Sequence, residues 1–183
     1  MDDNLKIIVC THKQDFVMDN DIFMPIQVGK DLSNVDLGFQ GDNTGDNISN
    51  KNRSFCELTA MYWAWKNLKN VDYIGLAHYR RYFDLNSKGI QPIYKIPMSE
   101  FLKRSEGEGF TKSRYLEILK THDIIAQQPM VSPHSQALDY CFYHISEDLH
   151  TLENVVHDLY PDYDEAFKKV IYKCNKPRGF NTM

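Results

Sequence analysis

Long apolar runs are missing from this sequence. None approaches the roughly 18 to 20 residues that a membrane-crossing helix needs, so no transmembrane segment is expected. An excess of basic residues is missing too. Lys and Arg number 21 against 25 Asp and Glu, a formal net charge of −4, which argues against a nucleic-acid-binding domain. Cysteine is sparse: Cys10, Cys56, Cys141 and Cys174 contain no CxxC pair, which argues against a zinc knuckle. There is no HExxH, GxSxG, P-loop or GxGxxG pattern, and the seven histidines show no metal-ligand spacing. The opening "MDDNLK" is acidic and polar, unlike a secretory leader. These absences together predict a reduced, cytoplasmic protein.

What is present suits one sizeable core. The chain has 183 residues, of which 42% are hydrophobic. Its 11 tyrosines suit half-buried core positions better than a ligand-binding surface on composition alone. "LKIIVCTHK" reads as a central strand buried on both faces, with Thr11, His12 and Lys13 at its C-terminal end. "MPIQVGKDL" suggests a short second strand and a glycine turn. "GFQGDNTGDNISNKN" is a long loop with almost no core-forming residues.

A helix is predicted over about Asn50–Asn67 with Ser49 as its N-cap. It is apolar nearly all round, so burial is expected. Cys10 and Cys56 read as small buried hydrophobes. Glu57 inside this helix needs a partner, most simply an arginine. "VDYIGLAHYRRYFD" supplies a second strand, and strand–helix–strand is the pattern of a parallel sheet. Further on, helices are predicted in "MSEFLKRS" and "TKSRYLEILK", and a strand over His122–Ala126. The rest is read as helical, with Pro161 dividing it and Tyr140, His144 and Asp148 sharing one face.

Four constellations carry chemistry. At the lip of the second strand stand His78, Arg80 and Arg81. Strand alternation places His78, Arg80 and Tyr82 on one side and Tyr79, Arg81 and Phe83 on the other. Arginine offers a bidentate fork to phosphate, and ligands of open α/β sheets bind at such strand ends; structural ion pairing is the competing reading. Thr11, His12 and Lys13 form a weaker second group. Asp42 and Asp46 with Asn43 and Asn47 have the oxygen chemistry of a hard-cation site, but an Asx-rich turn is favoured. His144, Glu147 and Asp148 have general-base chemistry, with surface pairing as the alternative.

"DNISNKNRSFCELTAMYWAWKN" followed by "DYIGLAHYRRYFD" resembles the signature of a bacterial glycosyltransferase family. That family was first catalogued as a domain of unknown function and occurs in capsular, exopolysaccharide and O-antigen gene clusters. The resemblance runs from about Lys6 to Met183, and Tyr160–Phe167, His144 and Asp148 also take part in it. Some members are galactofuranosyltransferases. The resemblance implies a Rossmann-like, GT-A-type α/β domain with a mostly parallel sheet and a nucleotide-sugar donor, a UDP-sugar first among the options. Metal use stays open: at the strand end where many such enzymes carry an Asp-x-Asp motif, His78-Tyr79-Arg80 stands instead.

On this reading Thr11, His12, Lys13, Arg80 and Arg81 bind the donor, and Asp46, Asn47 and Lys51 shape its pocket. His78, Asp84, His144 and Asp148 are the candidates for catalysis, and Glu57 is structural. The chain is expected to be one domain, with a donor-binding part over about 1–128 and a helical acceptor-side part over about 129–183. Family members continue past Phe180, Asn181 and Met183, so the C-terminal part is expected to be incomplete. The expected partners are a nucleotide-sugar and a glycan or lipid-linked glycan acceptor, reached from the inner face of the membrane. Self-association is expected if missing helices leave an apolar patch. A catalytically inactive nucleotide- or glycan-binding or interaction domain of a polysaccharide assembly system is the alternative.

Overall fold

The computed structural model describes residues 3–86, 95–127 and 134–172. They form two compact units, the first holding the described residues up to Ile125 and the second the helices that follow.

The first unit is built on four parallel strands: β1 (Leu5–Thr11), β2 (Phe23–Gln27), β3 (Gln40–Gly41) and β4 (Tyr73–His78). Their order is β3-β2-β1-β4. The alternation of β1 explains the layers. Leu5, Ile7 and Val9 face a cluster with Phe23, Ala77, Tyr79, Phe110 and Tyr115. Ile8 and Cys10 face the opposite cluster with Ile26, Ala60, Trp63 and Ala64. A strand covered on both faces must be apolar at every position, as "LKIIVCT" very nearly is.

The helix expected over Asn50–Asn67 is broken. A 3₁₀ turn (Ser49–Lys51) leads into α1 (Asn52–Phe55), and α2 (Leu58–Asn67) follows. Cys56 stands between them with φ 46° and ψ −127°, a left-handed backbone that side chains disfavour. It is pinned there: its N–H donates to the Asn52 carbonyl, and its own carbonyl accepts from the Asn52 side-chain amide and the Thr59 backbone N–H. Cys56 is therefore exposed, not buried. Ser49 does not cap the helix; its hydroxyl donates to Asp42.

Nor is α2 buried all round. Thr59, Ala60, Trp63 and Ala64 face the sheet, while Leu58, Met61 and Trp65 are exposed. On the other side of the sheet, α3 (Met98–Ser105) and α4 (Lys112–Leu119) follow, with Thr111 capping α4 through its side chain. The strand expected over His122–Ala126 does not form. A cavity of about 160 Å³, lined by Ile74, Gly75, Tyr115, Ile124 and Ile125 among others, lies beside β4 where its ladder would run.

The second unit holds α5 (Gln136–Tyr143), α6 (Ser146–Leu159) and α7 (Asp164–Ile171), packed around Ala137, Leu149 and Ile171. The face expected to join Tyr140, His144 and Asp148 is interrupted. His144 caps the end of α5 in an extended conformation, its ring 4.7 Å from that of Tyr140, and Asp148 lies in the first turn of the next helix.

Candidate functional site

Two adjacent parallel strands, β1 and β4, end side by side, with Cys10 paired to His78. After β1 the chain turns through His12 and Lys13. Thr11 is fully buried and shapes this turn, its hydroxyl donating to the Lys13 carbonyl at 2.8 Å. After β4 the chain does not run on as a strand. Arg81 N–H donates to the His78 carbonyl (2.7 Å) and His78 N–H to the Arg81 carbonyl (3.2 Å). This closes a two-residue turn at Tyr79 and Arg80, so the alternation expected for His78 to Phe83 fails at its second residue.

The turn folds Tyr79 inward. Its ring is buried, at 2% exposure, and the functional groups gather around it. The His12 ring meets it edge-on at 5.6 Å, the Arg80 guanidinium lies 5.0 Å from its centre and the Lys13 amine 5.6 Å. His12, Lys13 and Arg80 are exposed. Two cations and an imidazole thus share one aromatic platform at the strand ends, an arrangement with affinity for an anion. Among the described residues, the buried Tyr79 hydroxyl has no hydrogen-bond partner. Arg81 is exposed, and its backbone closes the turn.

His78 is buried beneath this platform. Its Nδ1 accepts from the Arg80 N–H at 3.3 Å, and its Nε2 lies 3.9 Å from the Glu57 carboxylate. Burial pushes its proton affinity down, and Arg81, Arg80 and His12 push the same way against the opposing pull of Glu57. The carboxylate expected to hold an arginine thus faces a histidine. The Cys10 thiol close by is pushed well up, first by burial and then by Glu57 and Asp42, which keeps it protonated and inert.

Asp42 belongs to the scaffold. It is fully buried and accepts four hydrogen bonds, from the Gly29 and Lys30 amides and the Ser49 and Thr59 hydroxyls. It thereby ties the turn after β2 to the start of α2. Asp46 is turned elsewhere, toward the later half of α2. Its carboxylate accepts from the Tyr62 hydroxyl at 3.0 Å and lies 4.0 Å from the Lys66 amine. Asn47 makes a local loop contact with the Ser49 amide, and Lys51 is exposed. Asp84 is held by Arg104 at 3.0 Å and accepts from the Asn86 amide.

The strand-end cluster therefore joins His12, Lys13, His78 and Arg80, with Arg81 in the same turn. The contacts of Asp46 and Asp84 lead away from it, to α2 and α3 respectively. His144 and Asp148 belong to the second unit and are exposed there. Tyr79 was not among the expected site residues. The signal for it was its place between His78 and Arg80, where a turn gives all three one locale.

Fold and site define an α/β domain of the Rossmann-like GT-A type, with a cationic cluster at its strand ends. The chain belongs to the family described as "Domain of unknown function (DUF4422)", whose model matches residues 6–183. It is also similar to a solved structure, the WbbM bifunctional glycosyltransferase in its apo form. The TM-score is 0.78 and the identity 28%, and the likeness covers 96% of this chain and 34% of that one. The chain thus spans about a third of the length of that relative. No curated protein matches. These likenesses show the family and the fold. No helix among the described residues is long and apolar enough to cross a membrane.

Proposed function

We propose that this domain transfers a sugar from a nucleotide-sugar, a UDP-sugar first among them, to a glycan acceptor. The observation that carries the reading is the gathering of His12, Lys13 and Arg80 around Tyr79 at the ends of β1 and β4. Breaking the sugar–phosphate bond places negative charge on the leaving diphosphate. Fixed cations at that point stabilise the transition state more than the ground state. Lys13 supplies a point charge and Arg80 a planar fork. Thr11 shapes the first turn and Arg81 closes the second; Asn47 and Lys51, in the loop after β3, are further donor contacts to test, while the Asp46 carboxylate is engaged by Tyr62. An acceptor hydroxyl attacking the sugar needs a base, and Asp84, in the same unit as the strand ends, is the group to test for that role. The acceptor is a growing glycan, lipid-linked, of a capsule, exopolysaccharide or O-antigen. Galactofuranose is the sugar to test first, and the inner face of the membrane is the place of reaction.

Calorimetric titration with UDP, with and without manganese, tests the donor reading. Binding without metal that is lost in Arg80→Ala supports it. Binding only with manganese moves the diphosphate contact to a carboxylate site. No binding in either condition refutes a UDP-sugar transferase and favours an interaction domain.

A further inference from the structure

We infer that Glu57 and His78 act together as a positioning pair that sets the anion-binding shape of the Tyr79–Arg80 turn. The inference rests on the donor reading and deepens it.

The geometry starts from the turn. Arg80 projects outward while its N–H points inward to the His78 Nδ1, 3.3 Å away, a contact added to the two backbone bonds between His78 and Arg81 that close the turn. A ring nitrogen that accepts carries no proton, so in the neutral ring the proton sits on Nε2. That nitrogen faces Glu57 Oε1 at 3.9 Å. This exceeds a direct hydrogen bond but is close enough for the carboxylate to favour one ring orientation electrostatically. The backbone before Glu57 supports the same conclusion. The left-handed Cys56 holds an unfavourable conformation at the residue whose successor is Glu57, and three hydrogen bonds keep it so. Strain of that kind persists only where surrounding structure over-determines it.

The groups facing His78 are Glu57 before α2, His12 after β1, and Arg80 and Arg81 of its own turn. Protonating His78 would put an N–H on Nδ1 against the N–H of Arg80, donor against donor, and the turn would lose its inner tie. A consequence follows that simple charge counting reverses. Acidification adds positive charge at the site and should tighten anion binding. If the pair acts as inferred, acidification instead weakens it.

The test uses the full chain and UDP-glucose, whose phosphates are both esterified and so hold a constant charge from about pH 5 to about pH 8, the range over which histidine titrates. Affinity is measured across that range for the wild type, Arg80→Ala, Glu57→Gln, His78→Gln and His78→Asn. Asparagine keeps an acceptor near the Nδ1 position but cannot reach Glu57. Glutamine keeps a group near Nε2 but leaves Arg80 N–H without its acceptor. The expected result is a loss of about tenfold for His78→Gln, the effect of one hydrogen bond, and a smaller loss for His78→Asn. Wild-type affinity falls on acidification, that of His78→Asn does not, and Glu57→Gln weakens binding several-fold. A role in packing alone would rank glutamine, the closer match in volume, above asparagine, and melting curves of both variants report any such damage. Wild-type binding lost in Arg80→Ala but unchanged in His78→Gln and Glu57→Gln overturns the inference and leaves the donor reading standing. No wild-type binding of UDP-glucose or UDP overturns both.

Discussion

Replacing Asp42 by alanine should cost this domain much of its stability. The carboxylate is fully buried and accepts from Gly29 N–H (2.8 Å), Lys30 N–H (3.1 Å), Ser49 Oγ and Thr59 Oγ1 (2.6 Å). The two hydroxyls can turn to other acceptors, and Thr59 Oγ1 already lies 3.0 Å from the Cys56 carbonyl. The two backbone amides cannot turn. Each buried orphan costs roughly 1–3 kcal/mol, so Asp42→Ala should lose about 4 kcal/mol, a large part of the roughly 5–15 kcal/mol that holds a domain together. Asp42→Asn keeps one acceptor oxygen and sets its amide against one backbone N–H, so about 2 kcal/mol is expected. Urea unfolding measures both, and the midpoint should fall at unchanged slope. An alanine variant within about 1 kcal/mol of the wild type would refute the reasoning, since loss of one buried hydrogen bond already costs that much. Intact stability with nucleotide binding lost would instead show that the carboxylate serves a ligand.

Two other predictions concern the same scaffold. Cys56→Gly removes the side chain from a backbone at φ 46° and should stabilise by about 1 kcal/mol in urea unfolding, the relieved strain exceeding the added freedom of the unfolded chain. A loss of stability would show that the thiol's contacts matter more. His78 takes up a proton less readily folded than unfolded, chiefly through burial. Its contribution to stability is therefore complete above the unfolded value of about 6.5 and is lost as pH falls through the lower folded value. Stability measured between about pH 7.5 and 5 should fall more steeply for the wild type than for His78→Asn; equal slopes would remove His78 as the cause.

Much of the sheet was legible because its signal is local. "LKIIVCT" is apolar at nearly every position, and only a strand covered on both faces uses such a run. "DYIGLAH" also reads as a strand, although β4 lies at the sheet edge with Ile74 exposed, and the intervening stretch predicted a parallel crossover. The break at Cys56 was not legible, since helical periodicity continues across it. What interrupts the helix is a set of hydrogen bonds from Asn52 and Thr59 that no propensity registers. The strand expected at His122–Ala126 failed for a related reason: its residues favour extension, but ladder pairing with β4 depends on where α4 delivers the chain.

The site divides along the same line. The sequence alone determined that histidine and two arginines stand where an apolar strand stops, because burial pattern and polarity change at that residue. Only the tertiary structure decided which of them act together. The reversal at Tyr79–Arg80 brought Tyr79 inward and gathered His12 and Lys13 from another strand end around its ring. Glu57 found a histidine because α2 starts beneath the end of β4, and Asp42 became an anchor because four donors from distant parts of the chain converge on it. A side chain's type is written in the chain, but its partners are set by which strand ends and helix starts the packing brings within a few ångströms.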